Sequence, residues 1–148
     1  MSLKELREEL RKKSDPAKAK VLQKFFKTGH GEYGYGDIFL GVIVPESRKI
    51  AVKFNQLSIK EIEELLKSKI HEERMVALLI LVYIYNKNQQ KRKEIFDFYL
   101  RHSKNINNWD LVDLSAPKIV GHFLYHFNKE DSSFKMLLAD LARSSYIW

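Results

Sequence analysis

Residues 107–117 read Asn107-Asn108-Trp109-Asp110-Leu111-Val112-Asp113-Leu114-Ser115-Ala116-Pro117, and they hold the residue types best suited to chemistry in this chain. On a helix, an aromatic and a carboxylate four residues apart stand one turn apart on the same face. Trp109 and Asp113 are therefore a candidate pair, a carboxylate beside an aromatic. Leu111, Val112 and Leu114 are expected to point elsewhere, with Asn107 or Asn108 capping the helix. Asp110 falls in the first turn, where the helix macrodipole explains a carboxylate without a catalytic role. Asp113 lies beyond that turn. Pro117 has no N–H for the Asp113 carbonyl, so the helix is expected to kink and open a concavity, with Gly121 allowing close approach one turn further on. The same spacing also suits a core aromatic and a carboxylate paired with a neighbouring Lys or Arg, and spacing does not separate the two readings.

Two other patterns are weaker. Gly29-His30-Gly31-Glu32-Tyr33-Gly34 fits G-x-G-x-x-G, but a dinucleotide site needs a strand before it and a helix opening from it, and neither is expected here. The segment reads as a tight glycine loop needing positive φ, whose amides, with Tyr33 and Tyr35, could also approach a phosphate backbone or a base. His122 and His126 are spaced i, i+4, as two metal ligands would be, but no third ligand is in view. His71-Glu72-Glu73-Arg74-Met75 lacks the second histidine of HExxH. No metal or cofactor is expected.

The elements that must position these residues are helical. Leu3, Leu6 and Leu10 mark an amphipathic helix over 2–13, and Asp15-Pro16 caps and starts a second with Val21, Leu22, Phe25 and Phe26 on its apolar face. Five of the six glycines fall between Gly29 and Gly41, so this stretch is an irregular loop. Pro45 opens a third helix to about Asn55, bearing Arg48, Lys49 and Lys53. Ser58 and Glu61 form a capping-box pair at the start of a fourth. Residues 72–85 are apolar almost all round, the mark of a helix enclosed by its neighbours. Helices over 91–104, from Asn107 or Asn108 to about Phe127, and from Asp131 to Ala142 complete the reading. No period-two alternation is sustained, and short connections after Gly41 imply antiparallel neighbours. The two apolar helices recur at a spacing of about 37 residues, each behind a more polar one, as in helical-repeat arrays. The expected fold is all-α: stacked antiparallel helix pairs forming one helical-repeat domain over residues 1–148.

With 148 residues and 45% hydrophobic content the chain can bury a core unaided. The absence of cysteine excludes disulfides and thiol chemistry and fits a reducing cytoplasm. The N-terminus lacks the apolar run of a secretory signal, and the apolar run over 75–85 is too short for a bilayer, so no membrane is expected. The net charge is +7, and residues 1–27 carry nine Lys/Arg against four Asp/Glu. A basic surface favours polyanions through phosphate contacts, and it also serves solubility.

The chain resembles the AlkD-like DNA alkylation repair glycosylases, built from HEAT-like helical repeats. The resemblance runs through Asp15-Pro16, Phe25-Phe26-Lys27-Thr28-Gly29 to Gly31-Glu32-Tyr33-Gly34, Asp37-Ile38-Phe39-Leu40-Gly41 to Val44-Pro45, and Glu73-Arg74, and is sharpest at Asn108-Trp109-Asp110-Leu111-Val112-Asp113. It implies an α-α superhelix and excision of N3- or N7-alkylated purines from double-stranded DNA by a monomer, without a cofactor and without flipping the base. It implies Asp113 as the catalytic carboxylate and Trp109 as the aromatic against the lesion nucleotide. Arg48, Lys49, Lys118, Tyr33 and Tyr35 are the DNA-contact candidates. The family's site also draws on an arginine and helices beyond the position of Trp148, so this chain is expected to lack part of that surface, and Arg143 does not take the arginine's place. The other class that fits is a non-catalytic helical-repeat module binding DNA or a protein partner.

Overall fold

A computed structural model describes residues 1–127 and 132–144, with the side chains of 132–134 left out of account. The helices are α1 (Leu3–Lys12), α2 (Pro16–Phe25), α3 (Val44–Lys53), α4 (Ile59–Leu66), α5 (His71–Lys87), α6 (Arg92–Arg101), α7 (Trp109–Ala116), α8 (His122–Phe127) and α9 (Ser132–Ala142). Asp131, where the last helix was expected to begin, lies outside the described residues, as do Ile147 and Trp148. Among the described residues there is no strand, only an isolated parallel bridge between Ile38 and Ile70. The chain is all-α, helix packed on helix. No helix among the described residues is long and apolar enough to cross a membrane.

Local chemistry explains most helix starts. The Ser2 and Ser58 hydroxyls accept from the backbones of Glu5 and Glu61, whose carboxylates reach back to the cap N–H groups. Asp15 accepts from Ala17 and Lys18 at 3.0 and 3.1 Å, with Pro16 in the first turn. Each such cap stabilises its helix by about 1 kcal/mol. The periodicity predicts a helix to Lys104, but α6 ends at Arg101, and a 3₁₀ turn at Ser103–Asn105 carries the chain towards α7.

α5 is the centre of the molecule and packs against α3, α4 and α7. Leu78, Ile80, Leu81 and Tyr85 are essentially unexposed. Full burial of each Leu or Ile is worth about 1.5–3 kcal/mol. Its first turn is buried too, although residues 71–74 are all polar. Glu73 takes the Arg7 guanidinium of α1 at 3.2 Å, while Arg7 also holds Glu64 at 2.8 Å. Glu72 accepts three backbone amides of the glycine-rich loop: Leu40 at 2.9 Å, Gly41 at 2.8 Å and Val42 at 3.2 Å. That grip needs a glycine, because Gly41 has φ +80° and a Cβ there would lie 2.2 Å from the Asp15 carbonyl. Arg74 donates to Asp37 Oδ2 and to the Ser68 carbonyl, each at 2.7 Å. One helical turn thus ties α1, the loop and the α4–α5 connection together.

Two side-chain hydrogen bonds join residues 37 apart, Arg74 to Asp37 and Tyr85 to His122. That separation equals the spacing of about 37 residues read from the sequence. Pro117 does not end the long C-terminal helix. The chain widens into a π turn over Pro117–Gly121 and resumes as α8. A π turn is how a helix absorbs a missing N–H without breaking. Gly121 meets no close neighbour, the nearest being the Ala116 carbonyl at 3.9 Å from a built Cβ, so no close approach explains this glycine.

Candidate functional site

α2, the 39–45 stretch and the first turns of α5 and α7 enclose a cavity of about 620 Å³ whose wall is overwhelmingly apolar. Leu22, Phe26, Phe39, Val42 and Met75 supply its carbon surface, and Trp109, Asp110, Asp113 and Leu114 form the α7 wall. The expectation that Leu114 points elsewhere is wrong: it lines this cavity beside Asp113, whereas Leu111 is in the core and Val112 packs on it. Residues 109, 110, 113 and 114 stand at i, i+1, i+4 and i+5, one face of α7 two residues wide.

Trp109 and Asp113 do share this cavity. Trp109 is half-buried, its ring 5.4 Å from Phe26 and edge-on to Phe25 at 6.2 Å. The aromatic layer continues inward, with Phe26 stacked on Phe39 at 5.2 Å and Phe39 on His71 at 4.5 Å. This layer fixes the indole in place. Asp113 is exposed and has no hydrogen bond or ion pair among the described residues. The paired-carboxylate reading of Asp113 therefore has no partner there.

Asp110 has more to do than balance a dipole. It is 14% exposed, and its Oδ2 accepts from His71 Nε2 at 2.8 Å. His71 is buried with Nδ1 3.8 Å from Asp37 Oδ2, too far for a hydrogen bond but close enough for its charge to be felt. Burial pulls the His71 pKa down, but the hydrogen bond to Asp110 and the carboxylate of Asp37 outweigh it and hold the imidazole above its ordinary value. Asp37 is anchored in turn by Arg74 and by Asn107 Nδ2 at 3.3 Å. A buried chain of alternating charge, Asp110, His71, Asp37, Arg74, thus runs under the cavity. It carries no net charge when His71 is protonated.

The expected side-chain cap of α7 does not form. Asn108 occupies the cap position but is fully buried with both amide atoms unpartnered, and its backbone carbonyl alone accepts the first helical bonds. Asn107 is taken by Asp37. The pull of the buried Asp37–Arg74 pair on the preceding residue explains the difference.

The remaining candidates lie apart from the cavity wall. Arg48 is exposed on α3, just past the cavity residues Val44 and Pro45, without an ion pair among the described residues. Lys49 is exposed but tied to Glu46 at 2.6 Å. Lys118 is exposed on the π turn. Tyr33 is half-buried, and Tyr35 is exposed with its ring edge-on to His30. The loop has the positive φ expected, at Gly31, Gly36 and Gly41. The amides of residues 40–42, however, are occupied by Glu72, so a phosphate would find that cup filled. His122 is bonded through Nδ1 to Tyr85 at 3.0 Å, and burial first, then His126 and Arg92, lower its pKa. Among the described residues no three His, Cys, Asp or Glu stand together as metal ligands would.

Sequence reasoning missed His71, Asp37 and the apolar wall. His71 and Asp37 meet α7 only in three dimensions, and the one local signal was polar residues opening an otherwise apolar helix.

A protein-family model described as DNA alkylation repair enzyme matches residues 6–148. No curated protein and no solved structure matches the chain.

Proposed function

Because the chain belongs to the DNA alkylation repair enzyme family, with DNA repair as its role and DNA as its substrate, we propose that it is a glycosylase excising N3- or N7-alkylated purines from double-stranded DNA. The observation that carries this reading is Asp113: a carboxylate with no partner among the described residues, at the wall of an apolar cavity, one turn from a fixed tryptophan.

An alkylated purine is cationic and leaves readily, so the enzyme's task is the sugar. As the C1′–N bond breaks, its electron pair neutralises the departing base and positive charge develops on the deoxyribose. Asp113 stabilises that charge and orients a water, which bonds to C1′ and gives up a proton to leave an abasic site. A carboxylate in a largely apolar cavity does this more effectively than one in open water. The Trp109 face favours the same positive charge. No residue need protonate the leaving base. The buried chain beneath holds α7, and of the carboxylates lining the cavity Asp113 is the one without a partner among the described residues. Arg48 and Lys118 serve as phosphate contacts, with Lys49, Tyr33 and Tyr35 as lesser ones, and the protein acts as a monomer in the cytoplasm.

The test is release of 7-methylguanine from alkylated duplex by the wild type and by Asp113→Asn. Release by the wild type, cut about 10²–10³-fold in the variant, is the expected result. Equal release by both removes Asp113 from the mechanism. Binding of duplex without release by the wild type would instead make the chain a non-catalytic DNA-binding module.

A further inference from the structure

The charge on the wall of the Trp109 cavity belongs to Lys18, His71, Glu72, Asp110 and Asp113. Lys18 lies 3.2 Å from Asp15, and Glu72 spreads its charge over the amides of residues 40–42. Asp110 is answered differently. Its Oδ1 is buried without a hydrogen-bond partner, and its Oδ2 is held by His71 at 2.8 Å. Histidine is the side chain whose charge comes and goes near neutral pH.

The geometry also identifies the proton that leaves. His71 Nε2 donates to Asp110, whereas Nδ1 is buried without a hydrogen-bond partner, with Asp37 Oδ2 3.8 Å away. Loss of the Nδ1 proton keeps the bond to Asp110, so α7 stays in place while the charge that answers Asp110 disappears. The charged groups around His71 are Asp110 from α7, Asp37 from the glycine-rich loop, and Glu72 and Arg74 from α5 itself. α2 and the loop add only the uncharged rings of Phe26 and Phe39. Asp37 and Arg74 offset each other at 2.7 Å, and Glu72 is met by amides. A neutral His71 therefore leaves Asp110 as a net negative charge at i, i+3 from Asp113, on the same face of α7 and the same cavity wall. Burial presses the His71 pKa down, and the Asp110 hydrogen bond with the Asp37 carboxylate more than restores it, so the change falls above the ordinary value of about 6.5.

We propose that His71 and Asp110 set the strength of a cation site in this cavity: with His71 neutral, Asp110 joins Asp113 in attracting positive charge, and with His71 protonated Asp113 acts alone. His71 reaches the ligand only through Asp110, as a positioning residue. A second uncompensated carboxylate about one helical turn from the first changes cation affinity about tenfold at the effective dielectric of a protein wall. That the cation is a deoxyribose charged near C1′ rests on the glycosylase reading. The preference for positive charge does not.

The experiment measures binding of the full chain to two duplexes that differ at one abasic position, which carries either a pyrrolidine, cationic throughout, or its neutral tetrahydrofuran counterpart. The ratio of the two affinities cancels what the DNA backbone contributes. In the wild type it should shift about tenfold towards pyrrolidine from about pH 6 to about pH 8. His71→Gln keeps a donor for Asp110 without a charge, so its ratio should be high and flat. Asp110→Asn should be low and flat, and Asp113→Asn should lower the ratio at every pH while keeping the rise. A flat wild-type ratio, or a rise that survives in His71→Gln, overturns the proposal, and the wild-type profile decides alone if a variant fails to fold. Excision plays no part in the readout. A chain that released no 7-methylguanine but showed the pH-dependent ratio would sink the glycosylase reading and leave this inference standing.

Discussion

Residues 71–74 and residues 109–113 each open a helix at the edge of the same cavity, and each carries charge. In the first turn of α5 all four side chains are buried and committed: His71 to Asp110, Glu72 to three amides, Glu73 to Arg7 and Arg74 to Asp37. In α7 commitment stops partway, since Asp110 is bonded while Asp113 faces the cavity without a partner among the described residues. Burying charge costs several kcal/mol per ion unless partners compensate, so the α5 set is there to hold elements in register. A carboxylate left uncommitted beside an apolar cavity holds no element, and its charge is available to a ligand.

The sharpest way to break this contrast is Glu72→Ala, which strands three amides and should cost about 3–5 kcal/mol of stability by chemical denaturation. A cost below about 1 kcal/mol would deny α5 its organising role. Asp113→Asn should do the reverse, cutting excision about 10²–10³-fold while moving stability by no more than about 0.5 kcal/mol. His71 tests the link between the two helices through pH. Its folded pKa is raised, so its stabilising contribution is complete below the ordinary histidine value of about 6.5 and is lost as pH rises through the folded value. The difference in melting temperature between wild type and His71→Gln should therefore shrink from mildly acidic to alkaline pH, and a difference that grows would refute the assignment. The smallest effect concerns α3. Arg48→Ala should flatten the salt slope of duplex binding by about one, and Lys49→Ala by less, because Glu46 already holds Lys49.

What the sequence made legible was local. Ser58 with Glu61 and Asp15 with Pro16 announce helix starts because both partners lie within one turn. The Trp109–Asp113 pairing was legible for the same reason, as helical geometry alone puts the two on one face. The partners of Glu72 and Glu73 lie 30 to 66 positions away, and that of His71 39. Acids in a first turn also have an adequate local explanation in the macrodipole, which hides a long-range role behind a short-range one. Asp110 was misread on that ground and Asn108 on another, since a capping propensity says nothing of a neighbour drawn into a buried ion pair.

The π turn at Pro117–Gly121 has a consequence for angular phase. A π turn is an α-helix carrying one residue in excess. Each helical residue advances the azimuth by about 100°. Everything after Gly121 is therefore indexed to a different origin from Trp109 and Asp113. An in-frame deletion of one codon within the turn would restore α geometry and leave α8 facing as it does, with His122 still against Tyr85, because the wide turn already absorbs the extra residue. The same deletion made in α7, where no residue is in excess, would instead turn everything after it by about 100°.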